Sequence, residues 1–579
     1  MTAGRKAVPG TEAGPAAGGT AYDWLERHAR LRPRATAVAV WRDGVIHRSL
    51  DFAQLSALVR RAAAALSRYT HEAGDRVVLA LPNDLSFTAA LLAATAAGLI
   101  AVPAPPLTAD PAPMTLARLR GIVEDCRPVL VVSCGRESGG GPGAPPVPGV
   151  RHVVTWDDLV ASADGPARPG DLPGSCDIGV LQYTSGSTGT PKGAVITHRA
   201  MRASCAQAAH AYRESPRDTA VTWVPLHHDM GLVTGILRPL FSGYASVLLE
   251  PRDFARAPAS WLRAITALRA TVSSAPDFAY GLCVRKVPAE QVPRLDLSSW
   301  RVARNAGEVV RADTADRFTA HFRAAGFRAA ALCPSYGMAE ATLAVTAGTH
   351  DEPALRLVVD RDALRAGRVV PAPHTAEPVP ARSALLSSGR PLPGTDVAIG
   401  RPGDRTGRPD GTVGPIWIRG PQMFSGYWRG PSRSGTGGEG WHATGDLGFV
   451  HRGHLFVLGR ADDTVVLNGR NFHASDIRAV CAGVTGLRPG RCVAFTTGGP
   501  GSVPSAPPAV RLVAEVGAGS LRDRGEVAAD IRRRLAAELE LYVRDVELVS
   551  PGELPFTTSG KPMVNETRAR YEERSPQTR

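Results

Sequence analysis

Short apolar runs alternate along the chain with longer segments in which apolar and polar positions follow a helical period. The runs are rich in β-branched and aliphatic residues and lie at 76–81, 128–133, 149–154 and 245–249, and helical segments lie at 52–69 and 261–269. Alternation of this kind favours parallel strands connected by helices. The pattern therefore predicts an α/β fold, and residues 521–542 predict an amphipathic helix near the end of the chain.

Residues 85–103 carry no charged side chain and raise the question of a membrane span. Their length is near the lower limit of about 17–25 residues that a membrane-spanning helix requires. However, the stretch is rich in alanine, is only moderately hydrophobic, and ends in Leu-Ile-Ala-Val before a proline. We therefore predict a buried helix that leads into a strand, and no transmembrane segment.

The N-terminal composition and the cysteines indicate a protein of the cytoplasm. Residues 1–20 are rich in Gly, Ala, Pro and Thr and lack the apolar core of a signal peptide, so we predict a disordered tail. The 8 cysteines stand singly, with no Cys-x-x-Cys pair and no Cys/His cluster at zinc spacing, and are predicted to be reduced packing thiols. The length of 579 residues allows several domains.

The formal net charge is +13, but arginines are distributed along the whole chain rather than gathered in one basic run. Diffuse basicity of this kind does not predict nucleic-acid binding. Lysine is rare among the 67 basic residues and occurs only as Lys6, Lys192, Lys286 and Lys561. A lysine that persists against such a bias can mark a position where a compact ammonium is needed, for example beside a phosphate.

The segment Tyr183-Thr-Ser-Gly-Ser-Thr-Gly-Thr-Pro-Lys-Gly193 follows an apolar strand-like run and precedes a predicted helix that begins at Thr197 or His198. Glycines permit tight turns in which backbone N–H groups converge on phosphate, and hydroxyls and a lysine add further donors. It is not a Walker loop, because Pro191 precedes the lysine and Gly193 stands where that motif has Ser or Thr. The segment predicts a phosphate-binding loop made of Thr184, Ser185, Gly186, Ser187, Thr188, Gly189 and Lys192.

This loop resembles the phosphate loop of the acyl-adenylate-forming superfamily, the AMP-dependent synthetases and ligases, and other segments that resemble the superfamily follow in order. They are Pro334-Ser-Tyr-Gly-Met-Ala-Glu340, Trp441-His-Ala-Thr-Gly-Asp446, Gly459-Arg-Ala-Asp-Asp463 and Thr557-Thr-Ser-Gly-Lys561. The resemblance spans roughly residues 20–570. It implies that a carboxylic acid is activated by ATP to an acyl-AMP, with Mg²⁺ as cofactor and with release of pyrophosphate.

The resemblance also implies roles for single residues. Ser335, Tyr336, Gly337 and Met338 would contact adenine, Glu340 would hold Mg²⁺, Asp446 and Arg460 would contact the ribose, and Lys561 would contact the carboxylate and the α-phosphate. These residue types suit the chemistry, because attack of a carboxylate on a phosphate requires two anions to be held together while charge spreads over phosphoryl oxygens.

Three stretches resemble the fatty acyl-AMP ligases within the superfamily. Trp223-Val-Pro-Leu-His-His-Asp-Met-Gly-Leu232 would place His228 beside the acyl and nucleotide sites, and Asn305-Ala-Gly-Glu308 would place Gly307 and Glu308 at the adenine. Residues 355–370 resemble the insertion that separates these ligases from acyl-CoA synthetases. Residues 471–478 and the residues after Lys561 depart from the family pattern, which bears on carrier docking and thioester formation more than on adenylation.

The resemblance implies a large N-terminal domain of flanked, mostly parallel sheets with a β-barrel-like subdomain at residues 21–458, and a small, mobile α+β lid at residues 459–579. The predicted substrate is a fatty acid, and the predicted acceptor is the phosphopantetheine thiol of an acyl carrier protein in polyketide or lipopeptide biosynthesis. Two alternatives stay open. One is an acyl-CoA synthetase, which would use CoA as acceptor. The other is a nucleotide-sensing or scaffold protein, which the intact Lys192, Glu340, Asp446 and Lys561 disfavour.

Overall fold

The computed structural model describes residues 19–108, 113–134, 147–162, 176–184, 191–373, 382–402, 411–430, 436–437, 440–467, 470–497, 509–517, 523–556 and 562–571. Of the predicted N-terminal tail, only Gly19 and Thr20 lie within these ranges, and Thr20 caps the first helix by accepting from the Asp23 N–H. None of the helices in these ranges combines the length and the apolarity that crossing a bilayer requires.

The α-helices are α1 (Ala21–Leu31), α2 (Phe52–Leu66), α3 (Leu85–Ala96), α4 (Pro113–Cys126), α5 (Trp156–Ala161), α6 (His198–Tyr212), α7 (Asp229–Leu232), α8 (Arg238–Ser242), α9 (Pro251–Arg256), α10 (Ala259–Leu268), α11 (Asp277–Lys286), α12 (Ala312–His321), α13 (Arg361–Arg365), α14 (Ala474–Ala482), α15 (Arg524–Leu539) and α16 (Val564–Tyr571). A π-helical segment, Val233–Leu237, joins α7 to α8. Short 3₁₀ turns lie at Ala289–Arg294, Arg323–Ala325, Ala329–Ala331 and Ala339–Ala341.

The strands of the N-terminal part are β1 (Thr36–Arg42), β2 (Val45–Asp51), β3 (Arg76–Ala80), β4 (Ile100–Pro103), β5 (Leu130–Ser133), β6 (His152–Thr155), β7 (Ile178–Thr184), β8 (Lys192–Thr197), β9 (Thr219–Thr222), β10 (Ala245–Leu248), β11 (Val272–Ala275), β12 (Val302–Asn305), β13 (Leu332–Gly337), β14 (Ala344–Ala347), β15 (Arg356–Asp360), β16 (Arg382–Leu386) and β17 (Arg390–Pro391). The remaining strands are β18 (Asp396–Ile399), β19 (Gly414–Arg419), β20 (Thr436–Gly437), β21 (Trp441–His451), β22 (His454–Arg460), β23 (Val465–Leu467), β24 (Arg470–Phe472), β25 (Leu487–Thr497), β26 (Ala509–Val516) and β27 (Val543–Val549).

Two large, mostly parallel sheets form the N-terminal part of the molecule. One has the order β17-β14-β13-β12-β11-β9-β10-β1-β2 and the other the order β6-β5-β3-β4-β7-β8. Antiparallel pairs occur at their edges, for example between β7 and β8. Strands β18 to β22 form an antiparallel sheet in the region where the β-barrel-like subdomain is predicted. The predicted α/β architecture with flanked parallel sheets is confirmed.

The uncharged stretch that raised the membrane question folds as predicted. Asp84 caps α3 by accepting from the Ser86 N–H, and the helix is buried along nearly its whole length. The chain then enters β4, which is buried at every position and lies between β3 and β7. A short helix with apolar residues on all sides is stable here because it packs inside the protein.

The C-terminal part has a hydrophobic core of its own, made by α14 and α15 against the sheet β25-β26-β27. Helix α15 covers less than the predicted 521–542, because Glu540 adopts left-handed backbone angles, with φ 51°, and ends the helix after Leu539. Strand β22 continues to Arg460, so the proposed start of the lid at Gly459 falls in the last residues of that strand. The exact domain boundary remains a prediction.

Candidate active site

The predicted phosphate loop is bracketed by a pair of antiparallel strands. Ser185, Gly186, Ser187, Thr188 and Gly189 lie outside the described residues, but Thr184 ends β7 and Lys192 begins β8, and the two residues are paired across the strands. Lys192 therefore begins a strand that the sequence analysis did not predict, although helix α6 does start at His198 as expected. The Lys192 Nζ lies 5.7 Å from the centroid of the Tyr427 ring.

Glu340 lies in the 3₁₀ turn that follows β13, where only 7% of its surface is exposed. The Tyr427 hydroxyl donates to its Oε1 at 2.5 Å, and its backbone carbonyl accepts from the Phe424 N–H at 2.8 Å. Burial lowers the pKa of His442 below its ordinary value, and the negative charge of Glu340 opposes that shift. Tyr427 thus connects the lysine of the phosphate loop with the predicted magnesium ligand.

The backbone of the predicted adenine segment makes a tight turn after β13. A Cβ at Gly337 would lie 1.8 Å from the carbonyl oxygen of Leu343, so only glycine fits there. The Met338 N–H donates to that same carbonyl at 2.8 Å. Ser335 is buried, and its hydroxyl lies 2.8 Å from the Tyr212 hydroxyl, so its side chain faces the protein interior.

Asp446 and Arg460 meet across the antiparallel pair of β21 and β22. The Arg460 Nε lies 3.8 Å from Asp446 Oδ1 and 3.1 Å from Asp462 Oδ1. The Tyr336 hydroxyl donates to Asp446 Oδ2. Burial of Tyr336, together with the negative charge of Asp446, raises the pKa of Tyr336 well above its ordinary value. The structure therefore brings the predicted ribose ligand together with the predicted adenine segment.

Gly307 and Glu308 lie just beyond the carboxyl end of β12, which is an interior strand of the nine-stranded sheet. The methyl carbon of Met230 lies 3.1 Å from the position that a Cβ on Gly307 would take, so this turn contacts the segment around His228. The exposed Glu308 accepts the backbone N–H of Phe278 at 2.6 Å, which ties the turn to the start of α11.

Asp277, beside this turn, is a buried carboxylate that the sequence analysis did not single out. Its Oδ1 accepts from Asn305 Nδ2 at 2.8 Å and from the Arg311 N–H at 3.3 Å. Burial, together with the negative charge of Glu308, raises the pKa of Asp277 to about 7. An ionised Asp277 is therefore unfavourable in the folded protein.

We expect Asp277→Asn to stabilise the protein more at pH 8 than at pH 5. Because the folded-state pKa is about 7, above the ordinary aspartate value near 3.9, wild-type stability declines as the pH rises between about 4 and about 7. Asparagine keeps the accepting Oδ1 and removes the charge, so the gain should reach about 1–3 kcal/mol above pH 7. Thermal unfolding of both proteins across this pH range measures it, and an equal gain at pH 5 and pH 8 would contradict the explanation.

His228 precedes the short helix α7, and its ring is half-buried 4.5 Å from the ring of His227. Burial and the positive charge of Arg118 hold the pKa of His227 at about 3, so that imidazole is neutral. The turn needs Gly231, because a Cβ there would lie 2.1 Å from the Pro225 carbonyl oxygen. This close approach explains the glycine of the Asp-Met-Gly segment that follows the two histidines.

The predicted insertion at residues 355–370 contacts both parts of the molecule. Strand β15 pairs with β16, and Val359 and Leu364 pack in a core with Phe449, Phe456 and Leu458. Helix α13 faces the C-terminal part through Arg361, Asp362 and Arg365, which we call the lid-contact residues. Their contacts are Arg361 Nη1 to the Glu538 carbonyl at 2.5 Å, Arg365 Nη2 to the Leu539 carbonyl at 2.7 Å, Arg470 Nη2 to Asp362 Oδ1 at 2.8 Å and Asn471 Nδ2 to the Arg365 carbonyl at 3.1 Å.

Lys561 lies outside the described residues. The residues on either side of its loop, Phe556 and Pro562, form an antiparallel bridge. The guanidinium of Arg491 lies 4.1 Å from the centroid of the Phe556 ring. The base of the terminal loop is thereby fixed to the C-terminal sheet.

A magnesium ion fits the neighbourhood of Glu340. Among the described residues, no group of three or more His, Cys, Asp or Glu side chains is arranged to hold a metal. Mg²⁺ is commonly bound through one or two carboxylates together with substrate phosphates and waters. Tyr427 occupies one lone-pair direction of the Glu340 carboxylate, which retains capacity for an ion.

Comparison with known proteins identifies the class of this chain. Residues 25–428 match the family described as AMP-binding enzyme, so the chain belongs to that family. It is 35% identical over 540 residues to the medium-chain-fatty-acid–[acyl-carrier-protein] ligase JamA of Moorena producens, covering 90% of each protein. It is 32% identical over 581 residues to the long-chain-fatty-acid–AMP ligase FadD28 of Mycobacterium tuberculosis, covering 93% of this chain and 95% of FadD28.

Solved structures agree with this placement. A fatty acyl-adenylate ligase from a study of the E. coli and L. pneumophila enzymes superposes with a TM-score of 0.83 at 31% identity, covering 96% of this chain and 98% of that chain. The L. pneumophila ligase in complex with acyl adenylate and pyrophosphate gives a TM-score of 0.69 at 28% identity, covering 96% of each chain. The resemblance to fatty acyl-AMP ligases that the motifs indicate is confirmed, and the chain is an adenylate-forming enzyme.

Proposed function

We propose that this enzyme activates a fatty acid with ATP to its acyl-AMP, with release of pyrophosphate. One observation carries the proposal: Tyr427 contacts Lys192 through its ring and Glu340 through its hydroxyl. The candidate phosphate-binding cation and the candidate metal-binding carboxylate therefore lie on two sides of one side chain. The names of the similar ligases support a fatty acid as the substrate.

In the reaction, an oxygen of the fatty acid carboxylate attacks the α-phosphorus of ATP. A P–O bond to that oxygen forms, and the bond to the β-phosphate bridge breaks and releases pyrophosphate. Lys192 and the backbone of residues 184–189 would bind phosphate oxygens, and Asp446 would accept hydrogen bonds from the ribose. Mg²⁺ at Glu340 would supply positive charge to phosphate oxygens. Lys561 would bind the attacking carboxylate and the α-phosphate together.

We further propose that the acyl group passes to the phosphopantetheine thiol of an acyl carrier protein. The thiol sulfur attacks the acyl carbon, a C–S bond forms, AMP leaves, and the thiol proton passes to solvent. The carrier ligase JamA supports this acceptor. We place the enzyme in the cytoplasm, where ATP and reduced thiols are available, and none of the eight cysteines, all of which lie in the described part of the chain, forms a disulfide.

Acid-dependent exchange of labelled pyrophosphate into ATP tests the adenylation step directly. We expect exchange with at least some members of a panel of fatty acids of increasing chain length, and none without acid. A protein that binds ATP but supports no exchange with any acid would contradict the proposal and revive a nucleotide-sensing role. A holo-carrier protein and CoA, supplied in parallel, then identify the acceptor.

Glu340→Gln is expected to lower the exchange rate at limiting Mg²⁺ about 10- to 100-fold, because the amide cannot supply a negative ligand to the ion. High Mg²⁺ should partly restore the rate. The amide oxygen can still accept from Tyr427, so the fold should be kept. Glu352→Gln, which changes an exposed glutamate, is the matched control. An unchanged magnesium dependence in Glu340→Gln would remove this residue from the metal site.

A further inference from the structure

Arg304 on β12 is buried, and its guanidinium has no hydrogen-bond partner among the described residues. Its exposed fraction is 1%, and its Nε, Nη1 and Nη2 atoms all lack an acceptor there. Burying a guanidinium without an acceptor costs several kcal/mol, so such a side chain is rarely retained without a function. An arginine offers five N–H donors and no acceptor, so whatever satisfies it must supply acceptor atoms.

A second buried donor lies beside Arg304. Ser274 on β11 is the in-register neighbour of Arg304, and equivalent positions of adjacent parallel strands face the same side of a sheet. Ser274 is 2% exposed, and its hydroxyl has no hydrogen-bond partner among the described residues. The next residue across the sheet, Cys333, differs, because its thiol donates to the Thr349 carbonyl at 3.3 Å. Arg304 and Ser274 are thus two adjacent positions of the sheet whose side-chain donors have no acceptor among the described residues.

The other charged groups nearby do not neutralise Arg304 by contact. Arg238 is fully buried too, but it forms an ion pair with the buried Glu214. Its guanidinium lies 5.0 Å from the centroid of the Tyr212 ring, at the end of α6. Burial lowers the pKa of Arg304, and the acidic groups of Tyr212, Asp229 and Glu214 act on it only through space. Arg304, unlike Arg238, therefore has no ion-pair partner within the described residues.

This donor pair lies near elements of the candidate active site. Strand β12 continues from Arg304 into the turn at Gly307, which contacts Met230 of the segment that follows His228. The Tyr212 hydroxyl contacts Ser335, at the start of the predicted adenine segment. An acyl chain that binds along β12 from the turn at Gly307 would come close to Arg304.

We propose that Arg304 and Ser274 determine substrate specificity by binding an oxygen-bearing group carried on the acyl chain, at a distance from the activated carboxylate. This inference rests on the proposed adenylation of a fatty acid and narrows its substrate class. The group is a hydrogen-bond acceptor: a second carboxylate, a ketone or a hydroxyl. A plain hydrocarbon chain would leave the guanidinium without a partner, and sites with buried donors strongly reject analogues that lack the matching group.

Pyrophosphate exchange tests this with pairs of acids of equal length, each pair comprising a straight-chain fatty acid and its oxo, hydroxy or α,ω-dicarboxylic counterpart. The wild-type enzyme should favour one oxygen-bearing class over the plain acids at least about tenfold in kcat/KM at one chain length. A preference for diacids alone identifies an anionic group, and a preference shared with oxo or hydroxy acids identifies a neutral acceptor. Both results support the proposal.

Arg304→Leu should abolish this preference and raise kcat/KM for plain acids, and Ser274→Ala should weaken the preference less. Arg304→Lys should retain a preference for diacids, because the charge remains. Arg199→Leu, which changes an exposed arginine of α6, is the matched control. If Arg304→Leu fails to fold, the wild-type ratios and Ser274→Ala still decide the question.

Equal kcat/KM for plain and oxygen-bearing acids at every length would overturn this inference, since buried water would then satisfy Arg304, and would leave adenylation standing. A lack of exchange with every acid would overturn the proposed function itself, and the inference with it. The two failures are therefore distinguishable in one experiment.

Discussion

Lys561→Ala is expected to lower the rate of acyl-AMP formation about 100- to 1,000-fold and to leave the Kd for ATP nearly unchanged. Two anions must approach each other in the reaction, and the predicted role of Lys561 is to contact both of them as charge develops. An interaction that strengthens only in the transition state affects kcat rather than substrate binding. The bridge between Phe556 and Pro562 fixes the base of the loop that carries this lysine, so removal of one side chain should leave the C-terminal core intact.

Single-turnover formation of acyl-AMP and equilibrium binding of ATP separate the two effects. Lys286→Ala is the matched control, because Lys286 is an exposed lysine at the end of α11. Lys561→Arg tests whether charge alone is enough, and we expect it to be impaired, since a planar guanidinium does not replace a compact ammonium. Parallel losses of ATP binding and turnover in Lys561→Ala would contradict the catalytic role.

Simultaneous substitution of the lid-contact residues, Arg361→Ala, Asp362→Ala and Arg365→Ala, is expected to raise acyl transfer to CoA at least about tenfold. Their contacts with the C-terminal part include two arginine-to-carbonyl hydrogen bonds and the ion pair between Asp362 and Arg470. If these contacts hold the lid in one orientation, lowering the stability of that orientation by about 1.4 kcal/mol changes the ratio between this orientation and the alternative one tenfold. Three polar contacts of about 0.5–1 kcal/mol each are enough for such a shift, and the contact made by the buried Arg365 is one of them.

The same variant should keep pyrophosphate exchange within about tenfold of the wild-type rate, because the lid-contact residues do not touch Glu340, Asp446 or Lys192. Excision of the whole insertion is a poorer test, since it would remove β15 and expose the core around Phe449. Arg356→Ala is the matched control, as Arg356 lies on the insertion but pairs with Asp316. Efficient acyl-CoA synthesis by the unmodified enzyme would show that these contacts do not exclude CoA.

The elements predicted from hydrophobic patterning are largely those that the protein forms. The apolar runs at 76–81 and 245–249 become β3 and β10, and the segment at 52–69 contains α2, whose capping box of Asp51 and Gln54 defines its start. The sequence analysis did not predict strand β8 because the first residue of this strand, Lys192, belongs to the phosphate-loop motif. A motif indicates which groups bind a ligand, but it does not indicate which backbone segments pair as strands. The sequence analysis extended helix α15 too far because buried apolar residues such as Leu541 continue the apolar pattern after the helix has ended.

Only those candidate site residues that belong to motifs could be predicted from the sequence. Motifs single out Glu340, Asp446 and Lys192 as candidates, but they do not show which neighbouring groups hold each side chain in place. Tyr427 lies 87 residues from Glu340 in sequence, and no local pattern connects the two. Asp277 and Arg304 are noticed only when burial and hydrogen bonding are known, because an isolated charged residue in a sequence usually indicates a solvated surface.

The tyrosine–carboxylate pairs described above have a thermodynamic consequence for nucleotide binding. Asp446 accepts a hydrogen bond from Tyr336, and Glu340 accepts one from Tyr427. Each carboxylate keeps further lone pairs for a ribose hydroxyl or a metal ion. Because the tyrosine restricts the rotation of the carboxylate, less side-chain entropy is lost when a ligand binds to it. Tyr336→Phe, which removes the donor that orients Asp446, should therefore weaken binding of the ribose of ATP, and equilibrium titration with ATP measures the change.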